Sequence, residues 1–141
     1  MKTHNNPVRV RAGISLGFTL IEVLMAVAIV SILAAIAYPS YQQHIIRANR
    51  VDAQQFMLSV ASQEEQFMLD ARSYTATIGA GGLNLTPPPE LVSRYTFTVA
   101  IIAGPPPGHT ITATAIGPQA SDGNLTLDNF GSKSPIAKWT K

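Results

Sequence analysis

The chain of 141 residues is long enough for one small domain, and its charged fraction of 13% lies well below the roughly 25% usual for globular chains. It contains no cysteine, which excludes disulfides, thiolate metal sites and a cysteine nucleophile. The formal charge of +2 is carried by the N-terminus: with Lys2, Arg9 and Arg11 set aside, seven basic residues face eight acidic ones from Phe18 onward, too even a balance for a broad electrostatic grip on nucleic acid.

Residues 1–17 are polar and basic, and Phe18–Tyr38 then forms an apolar run of about 21 residues, which as a helix reaches roughly 32 Å and matches a bilayer core. Lys2, Arg9 and Arg11 precede this run, so the positive-inside bias holds the N-terminus in the cytoplasm and sends the remainder outward. Three readings fit these facts: a secretory signal peptide with Ala35-Ile36-Ala37 as its cleavage site, an uncleaved membrane anchor, or a helix processed at its head and then polymerised. Glu22 separates them. A carboxylate at the entrance of an apolar run is costly and needs a partner, and only the third reading supplies one. Cleavage between Gly17 and Phe18 creates an α-ammonium that can pair with Glu22 of a neighbouring chain, neutralising both and setting axial register.

Gly17-Phe18-Thr19-Leu20-Ile21-Glu22 resembles the processing motif of the type IV prepilins, and the similarity extends through Pro39 and Tyr41. The resemblance implies cleavage after Gly17 by a prepilin peptidase, N-methylation of Phe18, and subunit assembly through Thr19 and Glu22. The 17-residue leader is longer than is common beside a mature Phe, and the same motif marks pseudopilins of type II secretion systems.

Beyond the membrane segment, Pro39 removes a backbone donor and is expected either to kink a continuing helix or to end the anchor. Ala53, Phe56, Met57, Val60, Ala61, Phe67, Met68 and Ala71 recur at helical spacing, with Glu64 the one polar interruption, so an amphipathic helix is predicted to continue to about Ala71. His44 reads as solvated or subunit-facing, and Arg47, Arg50 and Asp52 as a solvated polar stretch.

Gly79, Gly81, Gly82 and Pro87-Pro88-Pro89 predict an irregular connector, with no helix after the glycines to make a phosphate cradle. Tyr95–Ile102 and Thr110–Ile116 read as an antiparallel pair joined by Gly104-Pro105-Pro106-Pro107-Gly108. A third strand begins at Leu125-Thr126-Leu127 after the Asp122-Gly123 turn, and a short fourth is expected near Ile136–Trp139. The fold class is therefore α+β, a long N-terminal helix packed on a small antiparallel sheet. The expected divisions are a leader at 1–17, a transmembrane and polymerisation helix at 18–38, and an exported globular part at 39–141.

Tyr74-Thr75, the two strands, Gly123-Asn124-Leu125-Thr126-Leu127-Asp128, Gly131 and Trp139 together resemble the PilE-type minor pilins. In that group a disulfide commonly joins a cysteine before the Gly-x-Leu-Thr-Leu strand to one before the terminal Trp; Asp122 and Lys138 stand in those places here, which suggests an ion pair closing the C-terminal loop. The resemblance implies a structural subunit of a type IV pilus serving adhesion, twitching motility and DNA uptake. Its partners would be the peptidase, the inner-membrane assembly platform and other pilins, and it would lie in the inner membrane before assembly and on the cell surface after it. Lys133, Lys138, Trp139 and Lys141 form the best DNA-binding candidate, set against a reading as a rim Trp with solvated lysines. Gly13-Ile14-Ser15-Leu16-Gly17 matches a nucleophile elbow in letters alone, since no strand precedes it. His4, His44 and His109 lack metal spacing, so no metal, cofactor or catalytic site is expected.

Overall fold

A computed structural model describes residues 17–140. Lys2, His4, Arg9, Arg11, the Gly13–Leu16 part of the elbow-like match and Lys141 lie outside the described residues. The chain divides into two units, one reaching to Pro39 and the other running from Ser40 onward.

The first unit is the head of helix α1, which spans Leu20–Ala71 with Pro39 inside it. Its start is built by Thr19 and Glu22. The Glu22 amide donates to Thr19 Oγ1 at 3.3 Å, and the Thr19 amide donates back to Glu22 Oε2 at 3.4 Å, a capping box that occupies otherwise orphaned N–H groups. From Phe18 to Tyr38 every side chain is exposed, including Ile21, Leu24, Val27 and Ile32. In the middle of the run the Ser31 hydroxyl donates to the Val27 carbonyl at 2.7 Å, so it asks nothing of its surroundings. The segment is long and apolar enough to cross a membrane. Because α1 runs on through Pro39, the reading in which this proline ends the anchor is corrected.

In the second unit α1 becomes amphipathic and buries Ala53, Phe56, Met57, Val60 and Glu64. It ends where Arg72 adopts a left-handed conformation (φ 56°) while its amide still donates to the Met68 carbonyl at 2.9 Å. Strands β1 (Tyr95–Ile102), β2 (Gly108–Ala115), β3 (Leu125–Asp128) and β4 (Lys133–Ser134) form an antiparallel meander in that order. Period-two alternation sends Tyr95, Val99, Ile111, Ala113, Leu125 and Leu127 into the core with Phe56, Met57 and Val60, each large side chain contributing about 1.5–3 kcal/mol. The opposite face is hydroxyl-rich: Thr98 pairs with Thr112, Thr112 with Thr126, and Thr126 with Ser134 across all four strands. Thr–Thr neighbours suit the solvated face of a sheet.

The connector after α1 is folded back on itself. The Leu83 amide donates to the Thr77 carbonyl and the Leu85 amide to the Ile78 carbonyl, both at 2.9 Å. A Cβ at Gly82 would lie 2.0 Å from the Thr77 carbonyl oxygen, so the turn admits only glycine there. Two expectations are corrected. A short helix α2 (Pro89–Val92) follows the glycines, with proline preorganised for its first turn. The fourth strand is Lys133–Ser134, whereas Ile136–Lys138 is a 3₁₀ turn, because Pro135 has no N–H with which to continue the ladder.

Candidate functional site

At the N-terminus, Gly17 and Phe18 precede the helix, and the phenyl ring of Phe18 is 84% exposed. Thr19 Oγ1 lies 3.4 Å from Glu22 Oε2, so the hydroxyl and the carboxylate are held together at the helix start. A carboxylate in the first turn also meets the positive end of the helix dipole. The sequence pattern Thr-x-x-Glu before an apolar run carries this capping box, a signal beyond the cleavage motif itself.

The C-terminal region is organised by a buried polar cluster that sequence reasoning did not assemble. Asp122 ends a 3₁₀ turn over Gly117–Asp122, where Gly123 (φ 75°) turns the chain into β3. Its carboxylate is gripped by one edge of the Arg50 guanidinium, Nε donating to Oδ2 at 2.9 Å and Nη2 to Oδ1. The Tyr95 hydroxyl donates to Oδ2 at 3.2 Å, and the Gln119 amide nitrogen lies 3.0 Å from that hydroxyl and 2.9 Å from the Ile46 carbonyl. Asn49 donates to Gln119 Oε1 at 3.2 Å, and Gln54 donates to the Lys138 carbonyl at 2.9 Å. The expected Asp122–Lys138 ion pair is therefore corrected: Arg50, one turn after Arg47 on α1, reaches Asp122 with a fork that a single ammonium does not offer. Lys138 acts on Asp122 through its charge alone, with its Nζ beside Gly123.

The electrostatics follow from this packing. Burial raises the Asp122 carboxyl, but the hydrogen bond and charge of Arg50, the charge of Lys138 and the Tyr95 hydroxyl outweigh it and hold the group below the usual carboxylate range. The Tyr95 phenol is pushed up to about 12, first by burial and then by the Asp122 charge. Glu64, fully buried with Oε2 accepting from the Thr75 amide at 3.1 Å, is raised chiefly by burial.

Of the four DNA-patch residues, the fold brings Lys133, Lys138 and Trp139 together. Lys133 Nζ sits 5.1 Å from the Trp139 ring centroid, and the ring is half-buried against the core. Arg47 joins Lys138 and Trp139 in a cleft of about 410 Å³ that also includes Val51 and Gln54. Trp139 thus serves as both core filler and cleft wall, with one face already under an ammonium. His44 is exposed, as read from the sequence. Among the described residues no group of three or more His, Asp or Glu could hold a metal ion.

An apolar helix with a capped carboxylate at its head, and a second unit in which that helix packs on an antiparallel meander, together define a pilin-like subunit. Two family models match: one described as the prokaryotic N-terminal methylation motif over residues 14–38, the other as the type IV minor pilin ComP, DNA uptake sequence receptor, over residues 39–126. The chain belongs to the type IV pilin family. It is 31% identical over 100 residues to the type IV major pilin protein PilE1 of Neisseria gonorrhoeae, covering 71% of this chain and 57% of that one. It is 33% identical over 98 residues to fimbrial protein EcpC of Eikenella corrodens, covering 70% and 61%. It is 34% identical over 94 residues to the type IV wide pilus major component PilA4 of Thermus thermophilus, covering 62% and 72%. The chain spans 57% and 61% of the length of the first two relatives.

Proposed function

We propose that this chain is a minor pilin, a structural subunit rather than a catalyst, that enters or primes a type IV pilus. The observation that carries the reading is Glu22, capped by Thr19 at the head of an exposed apolar helix and five residues after Gly17. The basic leader, residues 1–17, keeps the N-terminus cytoplasmic while residues 18–38 cross the inner membrane once and place 39–141 in the periplasm. Prepilin peptidase then cuts the Gly17–Phe18 bond, and the Phe18 nitrogen is methylated. The new ammonium meets Glu22 of an adjacent pilin, neutralising two charges as the helix leaves the bilayer for the filament. Pro39 is the site at which the helix bends or locally opens as subunits pack. The inner-membrane assembly platform and other pilins are the partners. The relatives are pilus and fimbrial proteins, which favours a pilus over a secretion pseudopilus.

The test is the mass of the N-terminal peptide from sheared filaments. An N-methylated Phe18 supports the assignment, and Glu22→Val should leave cleavage intact while removing the protein from filaments. A terminus at Tyr38, or an intact leader, overturns it.

A second reading, contact with DNA during uptake, is supported by the family description and by Arg47 joining Lys138 and Trp139 in one cleft. Arg50 is committed to Asp122, so Arg47 and Lys138 are the cations available to phosphates. Full-length protein in detergent should bind duplex DNA with a steep salt dependence, and Arg47→Ala and Lys138→Ala should each reduce the slope by about 1. Unchanged slopes would remove the cleft from the DNA interface.

A further inference from the structure

The second unit holds another cleft, of about 350 Å³, whose wall includes Leu58 and Glu65 of α1, His109 of β2, Leu127 and Asp128 of β3, and the following Asn129. His109 is 0% exposed, and neither of its ring nitrogens has a hydrogen-bond partner. Buried polar atoms are almost always satisfied, so an imidazole left orphaned in a cleft wall points to a ligand. Neutral imidazole offers one donor and one acceptor. Burial favours that neutral form, lowering the pKa against the charges of Glu65 and Asp128.

Two carboxylates flank the imidazole, and each accepts hydrogen bonds from its neighbours. The Tyr74 hydroxyl donates to Glu65 Oε1 at 3.2 Å, and the Tyr74 ring packs edge-on against His109 with centroids 4.6 Å apart. Asp128 Oδ1 accepts from the Phe130 and Ser132 amides at 3.0 and 2.7 Å, which anchors that carboxylate. The His109 amide donates to Asn129 Oδ1 at 3.3 Å. Lys133, the one Lys or Arg lining the cleft, holds its ammonium over the Trp139 ring. The two carboxylates of Glu65 and Asp128 outnumber this one committed ammonium, so an organic cation is the matching charge. Leu58 and Leu127 add an apolar wall suited to a methylene stem.

We propose that this cleft receives a lysine or arginine side chain from a neighbouring pilin chain, its stem along Leu58, its charged head between Glu65 and Asp128, and a ring nitrogen of His109 accepting from it. The proposal rests on membership of a filament-forming family and is independent of DNA binding. The probe is n-butylguanidinium, added to isotope-labelled full-length protein in detergent micelles, with butyrate and butanol as controls. Saturable shifts should appear at the Glu65, His109, Asp128 and Asn129 amides and at the His109 ring nitrogens with the cation alone. The double variant Glu65→Gln/Asp128→Asn keeps the side-chain oxygen that caps the Phe130 turn, and should weaken binding about tenfold or more while leaving distant amides unshifted. In sheared filaments, a photo-crosslinker at Ser62, which lines the same cleft, should capture a pilin peptide carrying a Lys or Arg. Absence of saturable shifts, an equal response to butyrate, undiminished binding by the double variant, or no capture of a basic pilin segment would each overturn the proposal.

Discussion

Replacing Asp122 by alanine removes one half of the Arg50 pair together with the acceptor used by Tyr95 and Gln119. Taking one partner from a buried ion pair costs about 3–5 kcal/mol. The Arg50 side chain is 21% exposed against 5% for Asp122, so the stranded guanidinium can turn toward water and recover part of that loss. The lost charge-assisted hydrogen bond from the Tyr95 hydroxyl adds back about 1.5 kcal/mol, leaving roughly 3 kcal/mol. With a urea m-value of about 1.5 kcal/mol/M, the midpoint falls by about 2 M. The assay is urea unfolding of the full chain in detergent, followed by fluorescence of Trp139, the single tryptophan of the sequence. Lys138→Met, which removes only a neighbouring charge, should cost about 0.5 kcal/mol or less and serves as the comparison. Equal midpoints for the two variants would refute the assignment of Arg50 as the partner of Asp122. The pH dependence has a fixed sign. A carboxyl depressed in the folded state contributes stability present above its unfolded pKa and lost as pH falls through the folded value, so the Asp122→Ala deficit should shrink in acid.

Glu64 has the opposite linkage: its folded pKa is raised, so its stability contribution is present below the unfolded value and lost as pH rises through the folded one, and Glu64→Gln should raise the urea midpoint at pH 8 but not at pH 4. An alkaline titration at 295 nm should show one tyrosine ionising near pH 12, a component absent from Tyr95→Phe; its persistence would place that phenol elsewhere. Gly82→Ala forces a Cβ against the Thr77 carbonyl and should cost about 2 kcal/mol in the same urea assay, while Gly79→Ala, where a Cβ meets open space, should cost less.

The elements readable from the sequence are those with uninterrupted local patterns. From Val23 to Ala37 the chain is apolar at every position but Ser31, and Ala53, Phe56, Met57 and Val60 keep helical spacing, so both halves of α1 were legible, as was β1 from its alternating Tyr95–Ile102. Short elements were not. Two-residue β4 exists only as the partner of Thr126 and Leu127, and Ile136–Lys138 is apolar enough to read as strand while Pro135 forbids the pairing. Long-range polar chemistry was the larger omission. Arg50 looked like one of several solvated charges because its partner lies 72 positions away, and Glu64 looked like an interruption although it is fully buried. Local periodicity reports which face is apolar, but not which distant carboxylate or imidazole the fold will press against it.

A disulfide is made by an oxidant and undone by a reductant, so a domain closed by one inherits the electron balance of its compartment. The Arg50–Asp122 fork instead forms whenever the 3₁₀ turn meets the helix, with no covalent bond to be made between them. Thiol reductants should leave such a subunit folded, and its opening follows proton activity instead, in the acidic range where Asp122 finally takes a proton.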